Sequence, residues 1–336
     1  MAKAARLPIV DLSSTERLST ANLIRQACVE YGFFYLVNHG VDEELLGRVF
    51  EESRKFFSLS LDEKLELSRK EHRGYTPLYA EKLDPSSTSK GDSKESFYIG
   101  PLDSSKSNSN QWPTQGSVSF YHCCTSISIC YMCHDLSFGW EISEFLPSWR
   151  DTMETYYDRV LSAGKRLISL IALALEVEED YFSKVGALDK AEGFLRLLHY
   201  PGDLGCSGDE VCGASAHSDY GMITLLATDG VPGLQVCREK FKQPQSWEGV
   251  LPIKGAFIVN IGDMMERWTN GLFRSTLHRV MPAGQERYSM AFFLDPNPDC
   301  IVQCLESCCS ESCPQRFPPI RSGDYMKERF RLTYGS

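Results

Sequence analysis

This 336-residue chain has no apolar run near the roughly 18 residues that a membrane-spanning helix needs. It also has no basic excess. Its 35 Lys and Arg are outnumbered by 45 Asp and Glu, and a net charge of −10 argues against nucleic acid and anionic membrane surfaces as partners. The opening Met1-Ala2-Lys3-Ala4-Ala5-Arg6-Leu7-Pro8 lacks the apolar core of a secretory signal. Thirteen cysteines, an odd number, without such a signal are expected to be reduced thiols in a cytoplasmic protein. The same absence counts against haem at Cys130-Tyr131-Met132-Cys133-His134, although the spacing suits c-type attachment. Cys304, Cys308, Cys309 and Cys313 lack the paired Cys-x-x-Cys spacing usual for zinc and are expected to be exposed thiols in a Ser- and Glu-rich loop. Cys206 and Cys212 bracket a Gly-rich loop and have no evident role.

Apolar residues make up 42% of the chain, ample for a sizeable core, and large β-barrel enzymes reach this length as one unit. Amphipathic helices are predicted over 20–31 and 42–57, flanking an apolar strand at 32–37, with Asp42 capping the second helix and His39 structural. The strongest helix runs over 147–175. There Met153, Tyr156, Val160, Leu161, Leu167, Ile168, Ile171 and Leu175 recur at helical spacing, with Pro147 near the first turn. Residues 84–115 are rich in Ser, Lys and Asn and read as a loop able to cover a pocket. After about residue 193, short strands alternate with Gly, Pro and Asp turns, as in a two-sheet barrel.

His217-Ser218-Asp219 is answered by His278, in the strand-like Ser275-Thr276-Leu277-His278-Arg279-Val280. Residues i and i+2 at a strand exit point to one side, so His217 and Asp219 can reach a common point. With His278 they would form a facial triad that suits non-haem iron(II) and leaves three metal positions open. The blander alternative is a solvated His and Asp in a turn plus a core histidine. Nine residues past His278 begins Arg287-Tyr288-Ser289-Met290-Ala291-Phe292-Phe293-Leu294, a strand candidate. Arg287 and Ser289 share one face with Ala291 and Phe293. A guanidinium fork beside a hydroxyl on an otherwise apolar face makes a carboxylate clamp; the alternative is an exposed Arg on an edge strand.

The order and spacing of His217-x-Asp219, His278 and Arg287-x-Ser289 resemble the plant-type 2-oxoglutarate and iron(II)-dependent dioxygenases of the isopenicillin N synthase-like superfamily. Gly32-Phe33-Phe34-Tyr35-Leu36-Val37-Asn38-His39-Gly40, Arg73-Gly74-Tyr75, Lys94-Glu95-Ser96-Phe97, Asn260-Ile261-Gly262-Asp263 and Ser322-Gly323-Asp324-Tyr325 continue the similarity. The resemblance implies a mixed α+β fold, with a double-stranded β-helix (jelly-roll) core flanked by helices. It implies His217, Asp219 and His278 as catalytic iron ligands. Arg287, Ser289 and Tyr200 would bind 2-oxoglutarate, with O2 as oxidant and ascorbate as a reductant. The family frequently has Asn two residues before this tyrosine, where this chain has Leu198. His199 is a tempting third imidazole, but alternation turns it away from Tyr200, so it reads as structural.

The resemblance divides the chain into an N-terminal dioxygenase region (1–115), an atypical insertion (116–145), a long helical segment (146–192) and a jelly-roll oxygenase domain (193–336). The insertion has no charged residue from 116 to 134, and it separates Gln111-Trp112-Pro113 from Leu146-Pro147-Ser148-Trp149-Arg150, which family members run together. It reads as a retained intron or variable splice segment. The implied activity is decarboxylation of 2-oxoglutarate to succinate coupled to hydroxylation, desaturation or demethylation of a small organic molecule in plant secondary or hormone metabolism. Phe293, Tyr220, Leu225 and Tyr75 are candidates for an aromatic, apolar pocket lining, or for plain core packing. The chain is expected to act as a monomer. Two alternatives stay open: an oxidase of the same fold that does not use 2-oxoglutarate, and an impaired splice variant that only binds.

Overall fold

Successive residues of the apolar strands turn to opposite faces, and both faces are covered. In the computed structural model, which describes residues 3–84, 91–102, 110–113, 146–189, 192–202 and 212–334, the strands form two packed sheets and a separate antiparallel pair, Ile301–Val302 with Ile320–Arg321. The larger sheet has the order β2 (Ile9–Asp11), β3 (Phe33–Val37), β11 (Phe257–Ile261), β8 (Ile223–Thr228), β13 (Arg287–Asp295), β6 (Glu192–Tyr200), β5 (Glu95–Ile99), β4 (Gly74–Thr76). The smaller has the order β1 (Lys3–Ala4), β10 (Glu248–Gly249), β9 (Leu234–Cys237), β12 (Leu277–Val280), β7 (Ala214–His217).

Alternation sorts the large sheet into two cores. Phe33, Tyr35, Leu198, Tyr200, Ile258 and Ala291 point inward and pack against Ala214, Leu234, Val236 and Val280 of the small sheet. Phe34, Leu36, Leu195, Leu197, Leu225, Val259, Phe292 and Leu294 point outward into a larger core shared with the helices. The jelly roll is therefore closed on one side by its partner sheet and on the other by helices. A strand with both faces covered must be apolar nearly throughout, and β3 is.

The predicted helices form α1 (Arg17–Glu30), α2 (Glu43–Ser58) and α4 (Trp149–Ala174), with α3 (Leu61–Glu66) between α2 and α4 in sequence and the short α5 (Tyr181–Lys184) after them. Asp42 caps α2 by accepting from Leu45 N at 2.7 Å. On α4, Met153, Tyr156, Val160, Leu167, Ile168 and Ile171 are buried, while Leu161 is only partly so. His39 is locked in place: Nε2 lies 2.8 Å from Gly255 O, and Nδ1 takes the Val41 N–H at 3.2 Å.

Two expectations need correction. Residues 84–115 are not simply a loop, because Glu95–Ile99 is a fully buried strand. Its polar start is tolerated because Glu95 is satisfied by Lys64 Nζ at 3.0 Å, His199 Nδ1 at 2.7 Å and the Tyr75 hydroxyl. Of the four clustered cysteines only Cys313 is exposed; Cys304 is buried with Sγ 3.2 Å from Arg267 O, and Cys308 and Cys309 are half-buried. The loop folds back beneath α6 (Asp263–Trp268), so its apolar thiol packs inward.

The proposed insertion at 116–145, the Cys130–His134 motif and Cys206 lie outside the described residues. The flanks of the insertion meet: the Trp112 and Trp149 rings are 6.0 Å apart, and the Arg150 guanidinium lies 4.9 Å over Trp112. Among the described residues no helix is long and apolar enough to cross a membrane.

Candidate metal centre and co-substrate pocket

His217 closes β7 and His278 lies directly opposite it on antiparallel β12, so the two imidazoles start from paired backbone positions. Their ring centroids are 4.4 Å apart. Asp219 follows two residues beyond the end of β7. Its Oδ1 stands 3.7 Å from His217 Nε2 and 3.6 Å from His278 Nε2. Among the described residues this is the one group of three His, Cys, Asp or Glu side chains whose ligand atoms converge, all within 4.8 Å of one another.

The remaining polar atoms of the triad are already engaged. His217 Nδ1 lies 2.7 Å from Ser215 O, and His278 Nδ1 lies 3.0 Å from Thr276 O. Carbonyl oxygens only accept, so both protons sit on Nδ1 and both Nε2 lone pairs face the shared point. Asp219 Oδ2 accepts from Thr224 Oγ1 at 2.5 Å and Asn260 Nδ2 at 2.7 Å, leaving Oδ1 directed inward. Such partners orient metal ligands. The backbone beneath is packed tightly: Asp263 N donates to Asp219 O at 2.8 Å, and a Cβ on Gly262 would meet Gly221 O at 2.3 Å.

Electrostatics fit the same use. Burial, joined by the neighbouring His278, pushes His217 down to about 4 against the pull of Asp219. Burial would raise Asp219, but His278, His217, Thr224 and Asn260 outweigh it and hold the carboxyl below its ordinary range. Neutral imidazole with ionised carboxylate is the state that a divalent ion requires. Two nitrogens and one oxygen on one face suit iron(II).

Two cavities meet at the triad. One, with about 540 Å³ of open space, runs behind it and is lined by Arg287, Ser289, Tyr200, Leu198, Lys94 and Arg196 among others. Arg287 is 3% exposed; its Nη1 donates to Ser289 Oγ at 3.1 Å, its Nε donates to Val231 O at 3.2 Å, and its Cζ lies 4.9 Å over the Tyr200 ring. The backbone pairs Arg287 with Tyr200 and Ser289 with Leu198. The second cavity, about 680 Å³ of open space, lies in front and is lined by Phe194, Tyr220, Phe293, Met326, Phe330 and Arg69, among others.

The structure thus brings together His217, Asp219 and His278, and beside them Arg287, Ser289 and Tyr200. Phe293 lines both cavities and Tyr220 the front one. Leu225 and Tyr75 do not line either cavity. On β8, Thr224 and Leu226 face the site while Leu225 points to the helices, where a Cβ on Gly164 would stand 3.6 Å from its Cδ1. Tyr75 is buried near Phe56, with its hydroxyl on Glu95. His199 faces away from the pocket, as alternation predicts. Missed were Thr224 and Asn260, which hold Asp219, and Met326 and Phe330 from α7 (Ser322–Tyr334). Strand alternation around Leu225 would have found Thr224, whereas nothing local marks Phe330.

A family model described as "non-haem dioxygenase in morphine synthesis N-terminal" matches residues 7–115, and one for the 2OG-Fe(II) oxygenase superfamily matches residues 191–296. Kihadalactone A synthase LFS of Citrus sinensis is 39% identical over 330 residues, covering 97% of this chain and 91% of that protein. Azadirone synthase LFS of Melia azedarach is 37% identical, covering 98% and 93%. The crystal structure of a full-length Neurospora crassa protein in complex with alpha-KG and 5-formyluracil superposes with a TM-score of 0.79 at 28% identity, covering 99% of this chain and all of that one. The chain belongs to the 2OG-Fe(II) oxygenase superfamily, as a plant-type dioxygenase that uses iron(II), 2-oxoglutarate and O2 to oxidise a small organic molecule.

Proposed function

We propose that His217 Nε2, Asp219 Oδ1 and His278 Nε2 hold the iron, and that Arg287, Ser289 and Tyr200 hold the far carboxylate of 2-oxoglutarate. The observation that carries this is the sorting of atoms at the triad: each side chain has one polar atom engaged by the protein and one aimed at a common point. When bound, the iron supplies oxidative decarboxylation of 2-oxoglutarate to succinate and the oxidising power that takes hydrogen from the substrate.

The protein's own share is binding, orientation and exclusion of water. The Arg287 fork meets a carboxylate with two parallel N–H donors, and Tyr200 beneath it fixes the plane of the guanidinium. Ser289 accepts from Arg287 and keeps its own O–H to donate to the same carboxylate. Phe293 borders both cavities and shields the space between co-substrate and substrate.

The front cavity favours an apolar, ring-bearing substrate. The synthase names of the two plant relatives support a molecule of plant secondary or hormone metabolism, hydroxylated, desaturated or demethylated. The N-terminal region, the long helical segment and the jelly-roll domain work as one catalytic unit, a cytoplasmic monomer with ascorbate as reductant and without nucleic-acid or membrane partners; the net charge of −10 supports the latter point. The test is anaerobic addition of iron(II) and then 2-oxoglutarate to the purified chain. A weak visible charge-transfer band, lost in His278→Ala, is the expected result. No band from a folded, iron-loaded chain would count against the reading.

A further inference from the structure

The cavity that holds the Arg287 clamp contains two more cations, Lys94 and Arg196, at 3% and 6% exposure. Arg196 shares the inward face of β6 with Leu198 and Tyr200, and Lys94 immediately precedes β5, the neighbouring strand. Asp219, the acid that lines this cavity with them, belongs to the triad. Lys94 and Arg196 are also paired with Glu81, and Lys94 with Asp92, so what Lys94 brings to the cavity is a buried donor rather than an excess of charge.

How Lys94 is held points to the same end. Its Nζ lies 2.6 Å from Asp92 Oδ2 and 3.2 Å from Glu81 Oε2. An ammonium has three donors, so one N–H remains beyond these two carboxylates. Glu81 is shared with Arg196 and, at 3.6 Å, with Arg69, while Asp92 Oδ1 takes Ser215 N and Oγ. Between Tyr200 and Arg196 on the same face stands Leu198, whose apolar side chain offers no hydrogen bond to the cavity. A 2-oxoglutarate seated on Arg287 turns its keto-acid carboxylate toward the triad and away from that clamp.

We propose that Lys94, fixed by Asp92 and Glu81 and supported by Arg196, is a second carboxylate-binding group: it donates to the keto-acid carboxylate while Arg287 and Ser289 take the far one. This rests on the reading of the cavity as the 2-oxoglutarate site. Lys94 then supplies, from the start of β5, the polar contact that Leu198 cannot.

The experiment is calorimetric titration of 2-oxoglutarate into the full chain loaded with Mn²⁺, alongside the visible band of the anaerobic iron(II) form. Lys94→Met should bind 2-oxoglutarate roughly 10- to 150-fold more weakly, the loss of one charge-assisted hydrogen bond, with Mn²⁺ affinity unchanged. It should also move the visible band, because the lost contact is on the chelating end, whereas Arg287→Lys should weaken binding without moving it. Losses in the double variant should multiply, since the two side chains hold different ends. A folded Lys94→Met protein within about twofold of wild-type affinity would overturn the proposal. Leu198→Asn is the second variant, independent of the ion pairs. In the wild-type background it should change affinity by less than about threefold, and in Lys94→Met it should restore most of the loss. A gain of about tenfold or more from Leu198→Asn alone would show the keto-acid end unserved and overturn Lys94's role. Absence of 2-oxoglutarate binding by the wild type would instead remove the underlying reading of the pocket.

Discussion

Two buried clusters in this molecule pair histidine with carboxylate, and they are finished differently. At His199 both ring nitrogens are taken, Nδ1 by Glu95 Oε1 at 2.7 Å and Nε2 by Glu286 Oε1 at 2.8 Å, and the ring stacks on Tyr288 at 4.6 Å and 14°. At the triad each ring has one nitrogen on a backbone carbonyl and the other facing the point on which Asp219 Oδ1 also converges. Residue type and burial are alike in the two places. Unspent bonding capacity separates them: a structural cluster closes its hydrogen bonds within the protein, whereas a binding site leaves lone pairs converging.

The largest expected effect breaks the comparison directly. Replacing His217, Asp219 or His278 by Ala removes one of three ligands and should abolish turnover while the circular dichroism spectrum and melting temperature stay near wild type. Near-normal activity in two of the three variants would disprove the assignment. His199→Ala should do the reverse. It strips Glu95 of a charged-group hydrogen bond and leaves a hole against Tyr288, costing about 2–4 kcal/mol by denaturant titration. Activity per folded molecule should persist; an intact fold with no activity would refute a structural role.

The pH dependence of stability sharpens the same contrast. Burial alone would raise Glu95, but bonds from His199, Tyr75 and Lys64 prevail and hold it below its ordinary value of 4.5. A depressed carboxyl contributes stability that is complete above pH 4.5 and lost as pH falls through the lower folded value. Acid-unfolding curves of His199→Ala should therefore show less pH dependence in that window than wild type. An unchanged slope would mean that His199 does not hold the carboxylate.

Smaller effects are expected at the clamp. Arg287→Lys keeps the charge and loses the planar fork, which should cost about 1.5–3 kcal/mol, or roughly 10- to 150-fold in 2-oxoglutarate affinity. Ser289→Ala removes a neutral partner and should cost about 0.5–1.5 kcal/mol. Metal affinity should hold in both, as neither side chain faces the triad point. An Arg287→Lys enzyme with unchanged dependence on 2-oxoglutarate would sink the clamp and revive the oxidase alternative.

Much of this architecture is legible along the chain because it follows local periodicity. The 3.6-residue pattern of Met153 to Ile171 marks α4, and two-residue alternation sets Arg287, Ser289, Ala291 and Phe293 on one face. His199 is set aside by the same rule. Leu225 shows what happens when hydrophobicity is read without alternation: a large apolar residue suggests pocket lining, yet its neighbours Thr224 and Leu226 face the site instead. Glu95–Ile99 is hidden for a different reason. Its charged and hydroxyl side chains resemble a loop until Lys64, Tyr75 and His199 are seen to satisfy them from other elements.

By itself the sequence determined which side chains are candidates for the chemistry, since ligand types and spacings such as His217-x-Asp219 and Arg287-x-Ser289 are properties of a few adjacent residues. Tertiary structure alone decided which atoms of those side chains are free. That depends on partners distant in the chain: Asn260 lies 41 residues from Asp219, and the C-terminal helix brings Phe330 onto His72 with ring centroids 4.5 Å apart at the mouth of the front cavity. Hydrogen-bond completion and cavity shape arise from contacts between elements, and no local pattern encodes a contact whose two halves are separated by most of a domain.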